Sequence, residues 1–162
     1  MPEQLHEDLG VGLKAVIVRS IDEAATRGAA KVEAEHLLLS IAASGDVAAG
    51  ALADAGLDYA GVEAALRGER ERALRAAGVE PVAEERLHAT GNSRPGWGAS
   101  IREALNRGNF KARRDRTRAG RERLAVADAL IGVLRADLGT VPRAMAYAGV
   151  DRAALITRLE RL

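Results

Sequence analysis

The amino-acid sequence predicts an all-α protein, two tandem pseudo-symmetric four-helix repeats forming one compact domain. Three observations carry that prediction. Apolar residues recur at helical spacing along nearly the whole chain, while β-branched residues alternating with polar ones are hard to find. Short segments of the first half return in the second half in the same order. The 162 residues suit a single domain, and the 48% apolar share includes only one Trp, two Tyr and one Phe, so the core must be aliphatic.

The elements follow in order. From Leu9 to Arg27, the residues Leu13, Val16, Ile17, Ser20, Ile21, Ala24 and Ala25 draw one stripe of a first helix, which Gly28 ends. Between Glu33 and Ala43, Leu37, Leu38, Leu39 and Ile41 point in several directions, so most of that short helix is buried. Asp46 to Ala55 is a third, small helix stopped by Gly56, and Asp58 caps a fourth through Val62 and Leu66. The mixed charges of Arg67-Gly68-Glu69-Arg70-Glu71-Arg72 then read as a solvated helix end or linker. Val79 to Gly98, with Pro81, Pro95 and the turn chemistry of Gly91-Asn92-Ser93, reads as a connector. Trp97 at its end is expected to pack where the second unit docks on the first.

The second half repeats the first. Ile21-Asp22-Glu23-Ala24-Ala25-Thr26-Arg27-Gly28 agrees with Ile101-Arg102-Glu103-Ala104-Leu105-Asn106-Arg107-Gly108 at five of eight positions. Leu38-Leu39-Ser40-Ile41 corresponds to Leu130-Ile131-Gly132-Val133, and Leu52 through Asp58 is echoed by Met145 through Asp151. These anchors put repeat one at about 9–76, the connector at about 77–97 and repeat two at about 98–162. The glycines that follow helices, Gly28, Gly56, Gly108 and Gly149, are expected in left-handed turns. The copies differ in one place: seven residues separate Gly28 from His36, but nineteen separate Gly108 from Asp128. That longer stretch holds Lys111 to Arg123, with seven cations against two anions.

Composition narrows the chemistry. The near balance of 24 Lys+Arg and 23 Asp+Glu excludes a strongly basic nucleic-acid coat or an acidic tail. With no cysteine, thiolate catalysis, cysteine-bound zinc and disulfides are excluded. No stretch approaches ~18 consecutive apolar residues and no signal peptide is visible, which suggests a cytoplasmic protein. The serines lie in no nucleophile-elbow context, so no enzyme activity is expected. Glu33, Glu35 and His36 lie within one helical turn, but a closed metal site needs three or four converging ligands. Their predicted role is structural: the carboxylates favour the positive helix pole, and His36 bonds to a neighbouring loop. No metal or cofactor is expected.

The helix ending Glu23-Ala24 to Gly28, the Glu35-His36-Leu37-Leu38-Leu39 helix and the Leu52 to Asp58 corner, set in a duplication from about Leu9 to Leu162, resemble the Clp N-terminal domain family of double Clp repeats. The resemblance implies a non-catalytic protein- and peptide-binding module, like the domain that docks substrates and adaptors ahead of the AAA+ rings of Clp unfoldases. The sequence holds no Gly-x-x-x-x-Gly-Lys-Ser/Thr phosphate loop, so it looks like a stand-alone member. Such a member is expected to act as a Clp protease adaptor or as a sequestering decoy for Clp-directed ligands. The implied partners are peptides or protein substrates, a Clp ATPase or its adaptors, and peptide-like small molecules, without a membrane.

The resemblance carries over residue by residue. Glu35 keeps the carboxylate that pairs with the guanidinium of phosphoarginine in Clp unfoldases of the C type, while Ala34 stands where those proteins have threonine. Ala127 and Asp128 occupy the second Glu-His position, and Ala127 offers a guanidinium nothing, so two-site phosphoarginine binding is not expected. The aromatics of the family's cyclic-peptide groove align with His6 and Ala89, yet Arg94 keeps a basic residue at the entrance and Ile17 and Ile21 an apolar wall, which leaves a modified peptide groove. The alternative reading is a polyanion or nucleic-acid binder acting through the arginine-rich insertion 111–123, with Arg113, Arg114 and Arg116 at its centre. Nucleic acid is the less favoured occupant, because only Phe110 stands nearby for base stacking. Abundant Ala and Arg beside three lysines suggest a GC-rich bacterial genome.

Overall fold

A computed structural model describes residues 12–83, 94–108 and 117–162. Within them the aliphatic stripes fold into α1 (Leu13–Thr26), α2 (Ala34–Ala42), α3 (Val47–Asp54), α4 (Tyr59–Ala76), α5 (Ala99–Arg107), α6 (Arg118–Leu134), α7 (Thr140–Tyr147) and α8 (Arg152–Glu160). Strands β1 (Lys31–Val32) and β2 (Gly96–Trp97) form one parallel pair. The predicted all-α class holds. Among the described residues no single helix is long and apolar enough to cross a membrane.

Short polar side chains start the helices where the sequence places them. Asp46, Asp58 and Asp151 accept the backbone N–H groups of Ala48 (3.0 Å), Gly61 (2.8 Å) and Ala154 (3.0 Å), which would otherwise be orphans of the first turn. Gly56 and Gly149 turn the chain at φ 80° and 70°, a conformation that only glycine enters without a Cβ penalty. Gly108 departs from that expectation. Its φ is −61°, and it is buried where α5 crosses α6 rather than serving as a left-handed turn.

The core is aliphatic. Leu37, Leu38, Leu39 and Ile41 of α2 are all buried, as are Leu130, Val133 and Leu134 of α6, each such side chain contributing roughly 1.5–3 kcal/mol. In each half this central helix packs on the helix before it, α2 on α1 and α6 on α5. The halves then interlace: α4 lies along α7, and α8 lies against α3 as well as α6.

Three expectations change. The charged run after Leu66 is not a linker, because α4 continues to Ala76. Its Glu69 faces inward and accepts from Arg143 Nε at 2.6 Å, and Gly68 lies under the Tyr147 ring, which a Cβ would meet at 2.2 Å. Two residues per strand are too few to show any periodicity, so β1 and β2 leave no pattern to read. Trp97 joins the halves through its backbone in β2, while the residue stays 43% exposed.

Candidate functional site

The chain leaves β1 and enters α2 at Glu33, and here two helix N-termini meet. The Glu33 carboxylate accepts the Ser100 N–H at 3.1 Å in the first turn of α5, and the Ser100 hydroxyl as well. Ser100 Oγ in turn accepts the Ala34 N–H at 2.8 Å, at the start of α2. One carboxylate thus sits at the positive ends of α2 and α5 and ties the halves together. Gly98 leaves room for this carboxylate, since a Cβ there would lie 2.1 Å from the Glu33 carboxyl carbon and push it aside.

His36 turns back on its own helix. Its Nδ1 accepts the Glu33 N–H at 2.9 Å, so the predicted bond to a neighbouring loop is replaced by a cap on α2. The acceptor role of Nδ1 requires a neutral ring. Burial, with the positive charge of Arg27, lowers the pKa to about 4, against a smaller opposing effect of Glu33.

Glu35 faces a cleft of about 600 Å³ bounded by α2, α4 and the segment before β1. Burial raises its pKa above the usual carboxylate value; its own backbone N–H opposes this, Glu33 and Glu69 add repulsion, and Arg143 offers partial relief. The other buried charges of the cleft are committed. Glu69 is held by Arg143, and Arg27 by Glu23, by Tyr59 Oη at 3.1 Å and by Glu63 at 2.6 Å. No side chain among the described residues bonds or ion-pairs to Glu35. Lys31, Arg67 and Arg70 give the same cleft a basic rim. A second hollow of about 550 Å³ lies between α4 and α7, where the Arg72 guanidinium sits 5.2 Å from the Tyr147 ring centroid.

Among the described residues the second half builds no matching site. Helix α6 begins at Arg118, so Ala127 and Asp128 lie in its interior, 1% and 4% exposed, rather than at a helix start. Residues 118–123 of the insertion thus extend α6 at its N-terminal end, with Thr117 as its N-cap, accepting from Gly120 N–H at 3.0 Å. Both the carboxylate and the helix end that would present it are missing from that copy.

Of the binding residues chosen from the sequence that are described, Glu35 alone lines the cleft. Ile17 and Ile21 are half-buried on α1 and pack against the core, and Arg94 is exposed ahead of β2; none of the three lines it. Arg113, Arg114 and Arg116 lie outside the described residues, as do His6 and Ala89. The sequence reading passed over Glu69, Lys31, Arg67 and Arg70. Glu69 continues the Val62 and Leu66 stripe of α4 at helical spacing, a signal that counting only apolar residues misses.

Residues 11–148 match the family model of the Clp repeat N-terminal domain. No curated protein matches the chain. With the match spanning most of its length and the duplicated helical order that the resemblance implied, this chain belongs to the Clp repeat N-terminal domain family, whose members are protein-interaction modules.

Proposed function

We propose that the chain binds peptide segments of protein clients, taking one arginine or phosphoarginine side chain into the cleft against Glu35. The observation that supports this reading is the half-buried Glu35 carboxylate, which burial and two neighbouring glutamates disfavour and which no side chain among the described residues pairs. A guanidinium supplies what is lacking, two parallel N–H donors and a compensating charge. The exposed Lys31 at the rim suits a phosphate on the same side chain. Interaction domains of this family generally bind protein substrates or adaptors, and the reading needs no chemical step. Captured clients are either handed to a Clp ATPase, as an adaptor does, or withheld from it, as a decoy does. Withholding demands an affinity comparable to the competitor's, because occupancy follows relative dissociation constants and concentrations.

Calorimetric titration with phosphoarginine, free arginine and an arginine-containing peptide tests the proposal. Hydrogen bonds to a charged partner contribute roughly 1.5–3 kcal/mol, so Glu35→Gln should weaken binding about tenfold or more. Equal affinity in wild type and Glu35→Gln, or no binding of any of the three, refutes it.

A further inference from the structure

Backbone groups alternate between the two edges of a strand, so each residue of β1 faces either β2 or the opposite side. Gly96 N–H donates to the Ala30 carbonyl at 3.0 Å and Gly98 N–H to the Val32 carbonyl at 2.9 Å. With Lys31 opposite Gly96 and Val32 opposite Trp97, the N–H and C=O of Lys31 therefore point away from β2. Neither group has a hydrogen-bond partner among the described residues. Lys31 is exposed, and Ala29, Ala30 and Lys31 line the Glu35 cleft whereas β2 does not. Among the described residues, a strand edge without a partner thus borders the same cleft as the carboxylate that no described side chain pairs.

We propose that a client peptide binds in extended form as a third strand on the free edge of β1, exchanging hydrogen bonds with Lys31 N–H and C=O while its arginine reaches Glu35. This rests on the peptide-binding reading above and specifies how the peptide backbone is held. Charge selects the occupant. Of the carboxylates lining the cleft, Glu33 is taken up by Ser100 and Glu69 by Arg143. Glu35, which no described side chain pairs, is therefore the one that calls for a cationic side chain on the added strand, reaching it past Arg27, Lys31, Arg67 and Arg70 of the same lining. Main-chain bonds are indifferent to sequence, so clients need share only the anchoring arginine and an extended stretch beside it. A two-residue strand offers one such exchange, which makes the backbone contribution real but small.

The test modifies the ligand, so protein folding does not enter. Acetyl-Ala-Ala-Arg-Ala-Ala-amide and a set of versions, each methylated at one backbone nitrogen, are titrated into the wild-type chain and into Glu35→Gln while the Lys31 amide is followed by nuclear magnetic resonance. Strand addition predicts Glu35-dependent binding, a downfield shift and slower exchange of the Lys31 amide proton, and about tenfold weaker binding for methylation on the paired edge but not at the adjacent nitrogens. Glu35-dependent binding with all methylated peptides equal and the Lys31 amide unmoved overturns the strand and leaves the carboxylate site standing. Binding that ignores Glu35, or no binding, overturns both.

Discussion

At the N-terminus of α2, two adjacent side chains carry opposite pH signatures. His36 has its pKa lowered from the ordinary 6.5 to about 4, so the unfolded chain takes up a proton first as the pH falls. The stability that neutral His36 provides is complete above pH 6.5 and is lost between 6.5 and about 4, a total on the order of 3 kcal/mol. Urea unfolding at pH 7 and pH 4 should show the stability gap between wild type and His36→Gln narrowing by about that amount; a constant gap contradicts a neutral, bonded ring. Glu35 works the other way. Its raised pKa means that the unfolded chain ionises first, so stability falls as the pH rises above the ordinary 4.5. Glu35→Gln is therefore expected to raise the melting temperature at pH 7, with the gain fading below pH 4.5, while it weakens binding. A loss of both stability and binding would make Glu35 an ordinary structural residue. The Glu-His pair was legible in the sequence as a motif, but its division of labour was not, because which side chain turns toward the helix end and which toward the cleft is decided by packing.

Between elements, the repeated helix crossing is made with different atoms in each half. In the first, the Ser40 hydroxyl donates to the Val16 carbonyl at 2.5 Å across α1 and α2. In the second, the aligned Gly132 lets α5 and α6 close up until a Cβ would sit 1.9 Å from the Ala104 carbonyl oxygen and 2.9 Å from the Gly108 nitrogen. Backbone atoms cannot swing aside, so Gly132→Ala should cost about 1–3 kcal/mol of overpacking, read from the urea midpoint. An unchanged midpoint would mean that the two helices are free to separate. The helix order, the Asp caps and the Gly56 and Gly149 turns were readable because each follows from local chemistry. The continuation of α4 to Ala76 was not, since Glu69 is a charged residue filling a core-facing position only because Arg143 comes from another helix to meet it.

The whole molecule depends on exchange between its halves. Helix α4 of the first repeat packs on α7 of the second, and α8 of the second on α3 of the first, with Glu69–Arg143 and Asp54–Arg158 ion pairs across these seams. A chain cut after residue 83 leaves α2, α3 and α4 without α6, α7 and α8, so that fragment should show little helical circular dichroism alone. A cooperatively folded fragment would show that each repeat is autonomous. Duplication was visible in the sequence, but a repeat does not reveal whose helix packs on whose; at the cleft it is α4 of the same repeat that lies beside α2, with Thr140 of the second half at its edge. The most direct check of the central claim is to map amide shifts while titrating an arginine-containing peptide. The account predicts shifts concentrated in residues 29–36 and 66–70, lost in Glu35→Gln; shifts confined to the hollow between Arg72 and Tyr147, with α2 unmoved, would contradict it.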